Sequence, residues 1–249
     1  KDGSYDVVVP GSGGKDSGFV AHQLKYKYGM NPLCVTWAPF EWTKIGWENL
    51  QNFVNSGFNN IIAQPDQRIH KRLSKLSFEL MGDAWMPFNY GQKAWAFNIA
   101  DKFNIKLIFY GENGELEYGG SDQYKYMPKE DPEIWATNYY KGVTIDNLVK
   151  IGIERGDIDK SEVKKHSFDL YKAPKPEVIQ NKNIEMHWYS YYVKWTPQEN
   201  FYYCAKHLNF ETNNYGRSES TYTKYASLDD KQDDKQDGFH WYLSYMKFG

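Results

Sequence analysis

The stretch Val7-Val8-Val9-Pro10-Gly11-Ser12-Gly13-Gly14-Lys15-Asp16-Ser17 decides the reading of this chain. Three β-branched residues make a short buried strand, and a glycine turn follows it. A basic, an acidic and a hydroxyl residue then open a helix. Backbone N–H groups, an ammonium and a helix N-terminus so converge on one point, which is how proteins hold phosphate. The spelling departs from G-x-x-x-x-G-K-[ST], because Asp16 stands where that motif places a metal-binding hydroxyl. Ser12, Gly13, Gly14, Lys15, Asp16 and Ser17 are therefore the candidate cradle. The glycines let the backbone approach an anion, Lys15 brings a mobile point charge, and Ser12 and Ser17 bring hydroxyl donors. Asp16, beside phosphates, either helps to hold Mg²⁺ or fixes the loop.

Working outward, Tyr5 to Val9 reads as a central parallel strand and Ser17 to Tyr28 as a helix ended by Gly29. Pro32 to Trp37 is a second strand, Thr43 to Phe53 a helix, Ile61 to Ala63 a third strand and Gln67 to Leu80 a long polar helix. Trp85 to Phe103 reads as mixed loop and helix, and Ile105 to Tyr110 as a fourth strand. Strands alternating with helices call for an α/β fold with a doubly wound parallel sheet. From Gly119 the pattern changes, with a loop or lid over Tyr124 to Pro132 and helices over Thr144 to Gly152 and Ser161 to Leu170, N-capped by Thr144 and Ser161. Ile184 to Trp195 is strand-like and aromatic, and Pro197 to Leu208 starts a helix on proline. The expected division is a nucleotide-binding domain over 1–125 and a smaller, mostly helical and aromatic lobe for substrate and partner over 126–249. The tandem DDKQ within Asp229 to Asp237 is a solvated charge run.

With 249 residues and a formal net charge of −2, the chain has room for such a core and no basic footprint for nucleic acid. Its two cysteines, Cys34 and Cys204, lie in apolar patterns and cannot form a disulfide framework, so a reducing, cytoplasmic setting is expected. No apolar run reaches the roughly 20 residues that span a bilayer, and no signal peptide opens the chain, so no membrane insertion is expected. The start at Lys1 and the stop at Gly249 after a helical pattern lead us to expect further natural residues at one or both ends. Aromatic residues make up 18%, with 21 tyrosines, more than a plain core needs.

Two further strand ends should face the cradle. The backbone at Thr36 and Trp37 is placed to read an adenine edge, with Trp37 either packing on the base or capping the core. Gly111-Glu112-Asn113-Gly114-Glu115-Leu116-Glu117 follows the fourth strand. Its glutamates offer Mg²⁺ coordination or a base for an incoming amine, Glu112 foremost; an acidic surface turn would look the same. Gly111 and Asn113 are placed to touch the nucleotide. The aromatic cluster from His187 to Tyr203 is either a platform for a pyranose ring or core between lobes.

The SGGKDS run resembles the PP-loop of the N-type ATP pyrophosphatases, enzymes of HUP-like fold that cut ATP between the α and β phosphates. Together with PLCVTW, GENGELEYGG, VKWTPQENFYYC, RSESTYTKYASLDDK and DGFHWYLSYMKFG, it resembles the N-acetyl sugar amidotransferases of the WbpG/PseA type over nearly the whole chain. The resemblance implies conversion of an acetamido group to an acetamidino group on a free or nucleotide-linked sugar. Such products enter lipopolysaccharide O-antigen or flagellin glycans. It implies ATP and Mg²⁺ as cofactors, with ammonia from a HisH-like glutaminase delivered through a HisF-like subunit. Arg217 and Lys224 are then the candidates for a second phosphate clamp, or ordinary surface charges. That family commonly carries zinc-like cysteine pairs. This chain has no C-x-x-C and only scattered histidines, so no zinc site is expected.

Other readings stand beside this one. A PP-loop tRNA thiolase or lysidine-type ligase would want a reactive cysteine or a basic surface, and a sulfonucleotide reductase a cysteine in a mobile tail. A non-catalytic nucleotide- or glycan-binding module would not need Lys15 and Asp16 intact.

Overall fold

The computed structural model describes residues 2–40, 42–111, 113–114, 124–130 and 142–212. Val7–Pro10 forms β1, Pro32–Trp37 β2, Asn59–Ala63 β3, Leu107–Tyr110 β4, Lys129–Glu130 β5 and Glu185–Trp188 β6. They make one sheet in the order β3-β2-β1-β4-β6-β5, parallel throughout except for the edge strand β5. The protein is α/β, and this topology is compatible with double winding. The chain runs outward from β1 through β2 to β3, then returns across β1 to lay β4 on its other side. A crevice therefore opens between the carboxyl ends of β1 and β4, where such sheets bind ligands.

The period of two in β1 assigns the two faces of the sheet. Val7 and Val9 pack with Cys34 against α1 (Lys15–His22, continued by a π turn over Gln23–Lys27), α2 (Lys44–Asn55) and Cys204 and Leu208 near the chain's last described helix. Val8 packs with Leu33, Val35, Ile108 and Met186 against α4 (Met86–Phe103). A third apolar cluster joins α3 (Gln67–Met81), the start of α4 and α5 (Ile145–Glu154) beyond the end of β2. Shorter helices α6 (Pro176–Asn181) and α7 (Tyr189–Tyr192) precede α8 (Pro197–His207), which lies on α1. Cys34 and Cys204 are both free and buried. Strands β5 and β6 belong to the same sheet as β1, so the sheet draws on both sides of position 125/126.

Several local expectations change. Trp85 to Phe103 is one helix from Met86, buried on most sides, which erases the polar face that would have marked its period. Ser161 to Leu170 is not a helix: it contains 3₁₀ turns at Lys160–Glu162 and Asp169–Tyr171. The cap is Asp159, which accepts from the Ser161 N–H at 2.8 Å. The strand expected over Ile184 to Trp195 stops at Trp188, where the backbone turns into α7. Thr144 does cap α5, in a reciprocal capping box with Asn147.

Gly91, in the middle of α4, is set by a close approach. A Cβ there would lie 2.0 Å from Cε2 and Cζ2 of Trp37. Mid-helix Gly→Ala ordinarily gains up to about 1 kcal/mol. Here the added methyl must displace the indole or bend the helix, so Gly91→Ala is expected to cost about 3 kcal/mol, at the upper end of overpacking. Urea unfolding of the two proteins measures it.

Among the described residues, no helix is long and apolar enough to cross a membrane.

Candidate functional site: the cradle after the first strand

At the end of β1 the chain turns on residues whose side chains would collide. A Cβ on Gly11 would lie 2.5 Å from Ser17 Cβ, and the Gly11 N–H bonds the Val35 carbonyl at 2.8 Å. Gly13 has φ +92°, and a Cβ there would lie 2.5 Å from the Leu50 nitrogen of α2. Only glycine both adopts that angle and fits that space. Gly14 then caps α1 in extended conformation without any side-chain hydrogen bond to the helix. Gly14 has no side chain with which to cap the first N–H groups of α1, which leaves the positive end of the helix to the loop.

Lys15 is buried, and its ammonium pairs with Asp16 Oδ2 at 2.7 Å. The mobile charge expected from sequence is thus held in place. Asp16 Oδ1 accepts from the Asn200 amide at 3.3 Å, and the Cys204 thiol donates to the Lys15 carbonyl at 3.0 Å. Both partners come from α8, so the far end of the described chain braces the helix start. Gly18 lets α8 come this near: a Cβ there would lie 2.7 Å from Leu208 Cδ1. Ser17 donates to the Gly14 carbonyl at 3.2 Å, closing the turn on itself.

A cleft opens over this loop. Its floor is Gly11, Ser12, Gly14, Lys15, Asp16 and Ser17, and its walls include Val35, Trp37, Phe88, Gln92, Trp95, Tyr110 and Gly111. It lies at the β1/β4 crevice given by the strand order. Neither protein-family models nor characterised proteins gave a match to this chain.

The structure brings most of the sequence-chosen residues together here. Trp37 lines the cleft and is also packed edge-on to Tyr171 and His70, so it serves both wall and core. Thr36 sits beneath the loop: its hydroxyl donates to the Gly11 carbonyl and accepts from the Asn60 amide at 2.9 Å. Gly11 is part of the cradle, so Thr36 positions the loop from below. Gly111 packs against the cradle, since a Cβ on it would be 3.4 Å from Asp16 Cβ and 3.0 Å from Trp195. Asn113 is buried and donates to the Lys125 carbonyl at 3.0 Å, tying the turn after β4 to residues 124–130. Glu112, Glu115, Glu117, Arg217, Lys224 and the DDKQ run lie outside the described residues. In the aromatic cluster, Trp188 and Tyr189 are core, whereas Tyr191, Tyr192 and Tyr202 are about half exposed.

Sequence reasoning missed Phe88, Gln92, Trp95 and Tyr110 as cleft walls, and Asn200 as a partner of Asp16. It also missed Lys93, whose buried ammonium lies 4.6 Å from the Tyr110 ring centroid and 4.7 Å from that of Trp188, paired with Glu130. That arrangement stiffens the Tyr110 wall through cation–π and ionic contacts together. The spacing of Phe88, Gln92 and Trp95 at i, i+4 and i+7 was the available signal for one helical face.

Proposed function

We propose that this protein is an AMP-forming ATP pyrophosphatase acting, in a cytoplasmic setting, as a sugar amidotransferase. The observation that carries the reading is the cradle itself: a helix start on a glycine cap, a glycine turn and the Lys15–Asp16 pair at the floor of a cleft between β1 and β4. The residues suit a polyphosphate with Mg²⁺. One carboxylate, Asp16, together with phosphate oxygens and water, is the donor set this cation commonly takes. Bound there, Mg²⁺ would neutralise phosphate charge as the bond between the α and β phosphates breaks.

The chain's own groups do the rest. The N–H groups at the start of α1 receive the departing pyrophosphate, and Gly13 lets the backbone come close to it. Lys15, held at the cradle floor by Asp16, is placed to donate its ammonium hydrogens to phosphate oxygens, and Asp16 would be the side chain that holds the cation. Trp37, Phe88 and Trp95 exclude water from the nucleotide side of the cleft. The acetamido carbonyl oxygen attacks the α phosphorus, forming an O–P bond as pyrophosphate leaves. Ammonia then adds at the carbonyl carbon, the C–O bond breaks, and AMP carries the oxygen away, leaving the amidine. Half-exposed Tyr191, Tyr192 and Tyr202 offer faces for the sugar ring, and the ammonia comes from a partner glutaminase through a HisF-like subunit.

The test is to incubate the protein with ATP, Mg²⁺, ammonium and a panel of diacetamido sugars, and to separate the products. AMP and pyrophosphate in equal amounts, dependent on one of the sugars, is the expected result. Release of ADP and phosphate would sink the adenylation chemistry. AMP formation that requires tRNA would favour a tRNA-modifying enzyme.

A further inference from the structure

Behind the cleft wall, four side chains carry polar atoms sealed from solvent and, among the described residues, without a hydrogen-bond partner. They are Trp37 Nε1, both amide atoms of Gln67, His70 Nε2 and Ser74 Oγ. Gln67, His70 and Ser74 are spaced i, i+3 and i+7 along α3, so they share one face of that helix. The His70 ring lies 6.0 Å from Trp37 and 4.6 Å from Phe40, and its Nδ1 is bonded to the Tyr171 hydroxyl at 2.7 Å. Trp37 belongs to both places: it lines the cleft, while its ring packs edge-on against that of His70 on α3.

Native interiors rarely leave such atoms unmet, and where no protein group reaches them an ordered water does. The chemistry of the row defines its guest. Trp37 only donates, whereas Ser74 and the Gln67 amide both donate and accept. None of the four carries a formal charge, and burial keeps the His70 ring neutral. An ion would find no counter-charge among them, so the guest is uncharged, donates and accepts at once, and is small.

We propose that this face of α3 forms with Trp37 an internal binding site for water, built into the wall it shares with the cleft. The site does not depend on the activity proposed above. It gives the cleft wall a hydrogen-bonded backing in place of a purely apolar one.

Water–protein NOE measurements on the full chain test it directly. A cross-peak of bound-water sign between water and the Trp37 indole proton, persisting beyond nanoseconds, is expected. Its absence overturns the proposal. Ser74→Ala and Gln67→Leu give a second readout that does not rely on assigning that resonance. If water fills the row, each variant strips a partner from it and lowers Tm by roughly 2–6 °C. If the row is dry, each variant removes an unmet polar group and Tm rises, which also overturns the proposal.

Discussion

Lys15→Ala is expected to lower AMP and pyrophosphate formation by at least about 10³-fold, with the far-UV spectrum unchanged. Removing one preorganised donor to developing negative charge typically costs 10²–10³-fold. Here the loss is compounded, because the same ammonium masks Asp16. Without it, a carboxylate whose one remaining partner among the described residues is the Asn200 amide would face the phosphates of the proposed nucleotide. The effect should therefore appear in ATP binding as well as in turnover. Lys15→Ala combined with Asp16→Asn separates the two contributions. Binding recovers when the repulsion is removed, whereas turnover stays low because neither the ammonium nor the cation ligand is restored. Single-turnover assays with labelled ATP supply both numbers. Turnover within threefold of the unmodified protein would remove Lys15 from the chemistry.

Acid is expected to destabilise the fold through His70. Burial pushes the His70 pKa down from 6.5 to about 3. Between those values the unfolded chain binds the proton and the native ring does not, so unfolding takes up protons. Stability is then fully present above pH 6.5 and falls as pH drops toward 3. The whole shift corresponds to roughly 4–5 kcal/mol at about 1.4 kcal/mol per unit, a ceiling that water held beside the ring reduces. Burial and nearby His207 also lower the His22 pKa, which adds to the loss in the same direction. Urea midpoints from pH 7.5 to 4 should decline for the unmodified protein and decline less for His70→Gln, which keeps a polar group beside Tyr171. Parallel curves would show that His70 does not titrate on unfolding.

Much of the framework was legible because local chemistry and tertiary place agreed. Pro32 to Trp37 was bounded correctly as a strand, since a central parallel strand is apolar on both faces and stands out by composition. Thr144 caps its helix as read, through bonds within one turn, and Thr43, read as the first residue of a helix, is the cap of α2. The cradle was legible for the same reason, its glycines and charges being contiguous. What was not legible depends on distant partners. Trp37 and Gly91 define each other across more than 50 residues, and nothing in either segment announces that contact. Ser161 is the exception, a miss of local origin: its residue type suits a cap, but its own N–H is donated to Asp159, two residues earlier, which takes that role. Asn200 reads as an ordinary helix residue, yet it reaches back 184 positions to Asp16.

That last reach has a consequence for how the protein comes into being. Residues 11–17 leave the ribosome well before Asn200 and Cys204, which lie 184 and 189 positions further along than the Asp16 and Lys15 that they brace. The helix start thus leaves the ribosome without its brace, and the loop at residues 11–17 takes its final support only once α8 has been made and has docked on α1.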